Sequence, residues 1–264
     1  MASLALDTQV DFILLDIEGT TTPVDFVYKM PFPYANAKVE SFLHKHFREQ
    51  EIMSLIEQLH EQYQNDKEQE ELQPPSWVDG THESQLRSAV AYCQWLMFKD
   101  IKYTALKSLQ GKIWEEGYNK GDLRGTVYPD VPPAFKHWRL QKRQICIYSS
   151  GSVLVQQLLF STVASGDLTP YIAAFFDTRI GSKIQTESYR KIAESLVYSP
   201  SNALFISDTV KEVKAAHEAG MQAILCDHDL KASHLSEINI AIIRSFDASQ
   251  TRYTDLSRKP LCDI

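Results

Sequence analysis

Basic charge is scarce in this chain. Its 27 Lys and Arg stand against 34 Asp and Glu, a formal net charge of −7, and that balance argues against a dedicated nucleic-acid surface. The one dense charge run, Glu57 to Glu71, is acidic and is expected to be a solvated helix end or loop. Cysteines are few. Cys93, Cys146, Cys226 and Cys262 form no CxxC pair, so they read as reduced intracellular thiols, with Cys146 and Cys226 in the core. No 18-residue apolar run and no basic, apolar leader occur, so a cytosolic protein without membrane contact is expected. Neither a G-x-G-x-x-G after the first strand nor a P-loop is found, which counts against dinucleotide binding. His44 and His46 point apart at i, i+2 on a helix and are expected at the surface. No internal repeat is evident. At 264 residues, one large core or a core with a smaller appended domain can be buried.

Against these absences stands the run Phe12-Ile-Leu-Leu-Asp16-Ile-Glu18-Gly19-Thr-Thr-Thr-Pro23. Four consecutive apolar residues predict a buried strand, and two carboxylates follow at its carboxyl end. Gly19 and Pro23 break any continuation and put the acids at a loop mouth, the edge where open α/β sheets bind ligands. Two adjacent acids repel unless a metal ion or a shared proton relieves them.

From about residue 126, strand and helix signals alternate. Gln144–Tyr148, Ala173–Phe176, Ala203–Ile206 and Ala223–Cys226 read as strands, with helices between them and Thr186 as a candidate cap. This predicts a Rossmann-like parallel α/β sheet. The first strand breaks the rhythm, because Gln144 lies 128 positions beyond Asp16, far more than the roughly 30 of a βαβ unit. The intervening stretch carries helical spacing at Val39, Phe42 and Leu43, at Ile52, Leu55, Ile56 and Leu59, and at Leu86, Val90, Cys93 and Met97. We therefore expect a core of residues 1–23 and 126–264 with an inserted helical cap domain at 24–125. The polar stretch Gln62 to Pro75 is expected as a loop between two helical hairpins. Because the insertion begins beside the acids, it is expected to act as a lid.

Four polar features fall at or beyond strand carboxyl ends: Asp16 with Glu18, Ser149 with Ser150, Lys183, and Asp208 with Glu212. Each alone has a structural explanation; Ser149 or Asp208, for instance, would serve as a helix cap. Together they suit phosphoryl transfer. A carboxylate can attack phosphorus and form an aspartyl-phosphate. Asp16 and Asp208 can offer oxygens to a hard cation such as Mg²⁺. Lysine and hydroxyl donors can stabilise the equatorial oxygens, and Glu18 can protonate a leaving oxygen and later activate water.

The set resembles the haloacid dehalogenase superfamily, whose first motif, DxDGT, is matched by Asp16-Ile-Glu18-Gly19-Thr20. The resemblance implies that Asp16 is the nucleophile and that Glu18 is the general acid/base lending a backbone carbonyl to the metal. It also implies that Ser149, Ser150 and Lys183 bind the substrate phosphate, and that Asp208, with Glu212 nearby, belongs to the metal site. One Mg²⁺ per subunit held by Asp16, Glu18 and Asp208 is expected, in a monomer acting on a small phosphorylated substrate.

Glu18 departs from the superfamily's usual Asp. The longer string Asp16-Ile-Glu-Gly-Thr-Thr-Thr-Pro23 is similar to that of the enolase-phosphatases of methionine salvage, as are Tyr148–Ser152, Glu187–Ala193 and Thr104–Gly111. The likeness implies enolisation of 2,3-diketo-5-methylthiopentyl-1-phosphate, then hydrolysis to an acireductone and phosphate. A capped phosphatase for another small phosphate ester, or a non-catalytic scaffold of the same fold, are the competing readings. Phe26, Tyr28, Phe32, Tyr34 and Trp114 are candidates for the apolar methylthio end, with cap packing as the alternative. Lys107 and Gln110 are either substrate contacts or a solvated helix face.

Overall fold

The computed structural model of the chain describes residues 10–228 and 241–247. Cys262, one of the four cysteines read above as reduced thiols, lies outside them. Two compact units are present, one of residues 1–24 and 124–264, the other of residues 25–123.

In the first unit, β1 (Phe12–Leu15), β2 (Gln144–Tyr148), β3 (Ile172–Phe176), β4 (Ala203–Ser207), β5 (Gln222–Cys226) and β6 (Ala241–Ile243) form one parallel sheet in the order β3-β2-β1-β4-β5-β6. Every residue of β1 is fully buried. Phe12 and Leu14 pack on Tyr189 and Ile192 of one helix (Thr186–Ser195) and on Ala215 and Ala216 of another (Val210–Glu218). Ile13 and Leu15 serve the opposite face. Burying each such side chain stabilises by about 1.5–3 kcal/mol. That fixes Leu15 opposite both Ile147 and Ile206, and so fixes the height at which Asp16 emerges. A slip of one residue would turn this apolar set to the wrong faces.

The expected strands are all present, most with an end moved by one residue. Thr186 does not cap the helix it begins. Gln185 holds the N-cap position, and Thr186 Oγ1 donates instead to Glu218 Oε2 at 3.1 Å. Ser149 does not cap the helix after β2 either, because Ser152 does so by accepting from Val155 N.

The second unit is helical: α1 (Val24–Lys29, begun in the first unit), α2 (Pro31–His46), α3 (Gln50–Asp66), α4 (His82–Phe98) and α5 (Thr104–Lys120). Its main packing runs between α2 and α4, α2 and α5, and α3 and α5. Consecutive α3 and α4 also meet, whereas α2–α3 and α4–α5, the hairpins expected, are not among the main contacts. Nor does the polar stretch from Gln62 begin a loop. The α3 helix continues to Asp66, whose buried carboxylate accepts from Tyr92 Oη at 2.7 Å, Tyr103 Oη at 2.9 Å and Gln62 Nε2 at 3.0 Å. His46 also departs from the surface expectation. It is half-buried, with Nδ1 2.5 Å from Glu49 and Nε2 2.8 Å from Glu116. Among the described residues no helix is long and apolar enough to cross a membrane.

Candidate active site

The carboxyl ends of β2, β1 and β4 lie side by side, and the chain leaves β1 into a tight loop. The carbonyl of Ile17 accepts from the backbone N–H groups of Thr20, Thr21 and Thr22, and Gly19 N donates to Thr22 O at 2.7 Å. Thr20, Thr21 and Thr22 have no exposed surface. Two of their hydroxyls fasten the acids: Thr21 Oγ1 donates to the Asp16 carbonyl at 3.1 Å, and Thr20 Oγ1 accepts from Asp208 N at 3.0 Å. The threonine run is thus a frame that sets the ends of β1 and β4 against each other.

Asp16 is buried and heavily engaged. Its Oδ1 accepts from Lys183 Nζ at 2.5 Å and from Ile17 N at 2.7 Å, and its Oδ2 from Ser207 Oγ at 3.1 Å. Lys183 also reaches Glu212 Oε2 at 2.8 Å. Burial works against its charge, but the Asp16 and Glu212 carboxylates outweigh burial and raise its pKa above the ordinary lysine value. The lysine loop is pinned by Tyr148 Oη donating to Gly181 O at 2.9 Å and Tyr189 Oη donating to Lys183 O at 2.6 Å.

The acids crowd one another. Glu18 is raised above the usual carboxylate range by burial and by Asp16, and Asp208, at the exposed mouth, by desolvation and again by Asp16. Glu212 is pushed up to about 7 by burial and Asp16, against the pull of Lys183. One lysine does not compensate this concentration of negative charge, which is what a bound cation would relieve. Among the described residues no three His, Cys, Asp or Glu side chains make a metal cluster by themselves. The Asp16 and Asp208 carboxylates with the Glu18 carbonyl still fit Mg²⁺, which takes one or two carboxylates and keeps several waters.

Ser149 is buried at the end of β2, with its N–H on Phe176 O at 3.2 Å and its Oγ accepting from Gly151 N. Ser150 is exposed on the following loop. The structure thus places Asp16, Lys183, Asp208 and Glu212 in one network, with Ser149 on the adjoining strand end. Sequence reasoning passed over Ser207, whose hydroxyl lies within reach of both Asp16 and Glu212 Oε2 (2.9 Å). Its position as the last polar residue of an apolar strand was the available signal.

The aromatic candidates belong to the helical unit. Trp114 Nε1 donates to Pro31 O at 2.6 Å and meets Phe32 edge-on, while Tyr34 Oη donates to Asp122 at 2.9 Å. Phe26 and Gln110 are buried, and Tyr28 and Lys107 are exposed.

A family model described as haloacid dehalogenase-like hydrolase matches residues 10–220. The Enolase-phosphatase E1 of Synechococcus elongatus is 44% identical over 222 residues, covering 84% of this chain and 90% of the relative. The chain belongs to the enolase-phosphatase E1 family of haloacid dehalogenase-like hydrolases. Members of that family are phosphatases, and the expected α/β fold, the enzyme class and the resemblance drawn from Asp16–Pro23 are borne out. Among solved structures, the UTR4 protein of Saccharomyces cerevisiae is similar, with TM-score 0.65, 32% identity, and coverage of 83% of this chain and 90% of that one. The putative hydrolase YfnB of Bacillus subtilis, bound to magnesium, shares the fold at TM-score 0.52 and 14% identity, covering 90% and 95%. Hydrolases of this family are generally Mg²⁺-dependent.

Proposed function

We propose that this chain enolises 2,3-diketo-5-methylthiopentyl-1-phosphate and then hydrolyses its phosphate ester, releasing the acireductone of methionine salvage, as a monomer with one Mg²⁺ per subunit. The observation that carries the phosphatase half is the Lys183–Asp16–Ser207–Glu212 network at the sheet's carboxyl edge, beside Asp208. The enolase half rests on family membership and on Glu18 in place of the superfamily's Asp.

In this reading an Asp16 oxygen attacks phosphorus, the ester P–O bond breaks, and the Asp16 acyl-phosphate forms. Glu18, held above its ordinary pKa by burial and by Asp16, carries the proton given to the leaving oxygen. As a carboxylate it then removes a proton from the water that attacks the acyl-phosphate, returning Asp16 and releasing inorganic phosphate. Lys183 holds Asp16 oriented and places a positive charge beside the transferring group, while Ser149 and Ser150 offer hydroxyls to phosphate oxygens. Mg²⁺ held by Asp16, the Glu18 carbonyl and Asp208 would neutralise phosphate charge and polarise a substrate oxygen for enolisation.

The test is a phosphate-release screen of the diketo phosphate against simple sugar phosphates, with enol absorbance followed in parallel. Preference for the diketone with an enol signal supports the reading. Equal turnover of sugar phosphates without an enol intermediate replaces it with a general capped phosphatase.

A further inference from the structure

Two residues that the reaction above does not use grip the acid-bearing loop from one side. His228, just beyond β5, lies with Nε2 3.0 Å from the carbonyl oxygen of Thr20. A carbonyl only accepts, so Nε2 carries the proton and donates. The imidazole is held flat against the Tyr128 ring, with centroids 3.7 Å apart and planes at 23°, and Phe246 meets it edge-on at 6.0 Å. Tyr128 in turn donates its own backbone N–H to Thr21 O at 2.9 Å. Consecutive carbonyls of the loop are therefore held by one stacked pair whose members are far apart in the chain.

We propose that the Tyr128–His228 stack is a positioning clamp for the nucleophile loop. Its hold passes through Thr20, whose side chain takes the Asp208 N–H, and Thr21, whose side chain donates to the Asp16 carbonyl. The clamp thus sets the two carboxylates relative to each other without touching the reacting atoms. This rests on the reading of Asp16 as nucleophile. Preorganised geometry is where such a clamp acts, because misplacing a reacting group by about 1 Å can cost roughly a hundredfold in rate.

His228→Phe keeps a ring on Tyr128 and removes the donor, whereas His228→Gln returns an N–H near the position of Nε2. Phosphate-release kinetics at saturating Mg²⁺ should show kcat reduced about ten- to a hundredfold in His228→Phe, with KM within twofold and the melting temperature close to wild type. His228→Gln should regain most of kcat. Wild-type kcat in His228→Phe, no rescue by Gln, or a kcat loss that tracks a fall in melting temperature in both variants would overturn the clamp. Asp16→Asn, assayed alongside, separates the two readings. Turnover surviving there removes the nucleophile assignment whatever the His228 variants do.

Discussion

Gly19 presses so closely on Asp208 that a Cβ at Gly19 would fall within the space of the Asp208 carboxyl group. Gly19 also has φ +76°, a region side chains avoid. Only glycine lets the acid-bearing loop turn while the β4 acid stands against it. We predict that Gly19→Ala displaces Asp208 and lowers kcat by about a hundredfold or more, with the far-UV circular dichroism preserved. Gly121, at the end of α5, has nearly the same φ (+77°), but a Cβ there would meet nothing within 4 Å. Gly121→Ala should cost only about 1–2 kcal/mol of stability and leave kcat unchanged. Equal kcat losses in the two variants would show that backbone strain, not the Asp208 contact, matters at position 19.

Lys183 is the cation between two carboxylates, and all three side chains are nearly buried. Removing one partner of a buried ion pair leaves uncompensated charge and costs about 3–5 kcal/mol. Lys183→Met is therefore expected to lower the melting temperature markedly in chelator, with part of the loss restored by added Mg²⁺. Phosphate release should be abolished in either condition. A variant as stable as wild type in chelator would contradict the ion-pair role.

Glu116 joins α5 to α2, pairing with Lys120, His46 and Lys45. The bond from Lys120, with those from His46 and Lys45, brings its pKa down to about 2 from an ordinary 4.5, against a smaller opposing effect of burial. A depressed folded-state pKa contributes stability that is complete above the unfolded value and is lost as pH falls through the folded one. Glu116→Gln should thus lower the melting temperature by a few degrees at pH 7. The gap to wild type should narrow as pH falls from 4.5 towards 2. A gap that stays constant with pH would assign the effect to packing.

The sheet was most legible where its strands are buried on both faces and read as unbroken apolar runs, as in Phe12–Leu15 and Ala203–Ile206. Two strand ends moved where a less apolar residue, Gln222 or Ser207, joined the ladder, and a third where Ile172 extended β3. The extent of α3 was not legible, since a polar run from Gln62 signals a loop unless one knows that Tyr92 and Tyr103 wait for the Asp66 carboxylate. At the site, Asp16, Lys183, Asp208 and Glu212 could be found because parallel topology gathers strand ends on one edge. His228 could not, because a lone histidine after a strand carries no pattern, and its partners Thr20 and Tyr128 are distant in sequence.

In the proposed covalent route, Asp16 is the group that takes the phosphoryl. Asp16→Asn keeps the shape of the side chain and removes the attacking carboxylate, so the most direct measurement follows enol absorbance and inorganic phosphate together for wild type and this variant at saturating Mg²⁺ and diketo phosphate. We predict phosphate release reduced by at least about a thousandfold with the fold intact, as for loss of a covalent nucleophile. Phosphate release near the wild-type rate in Asp16→Asn would contradict that route.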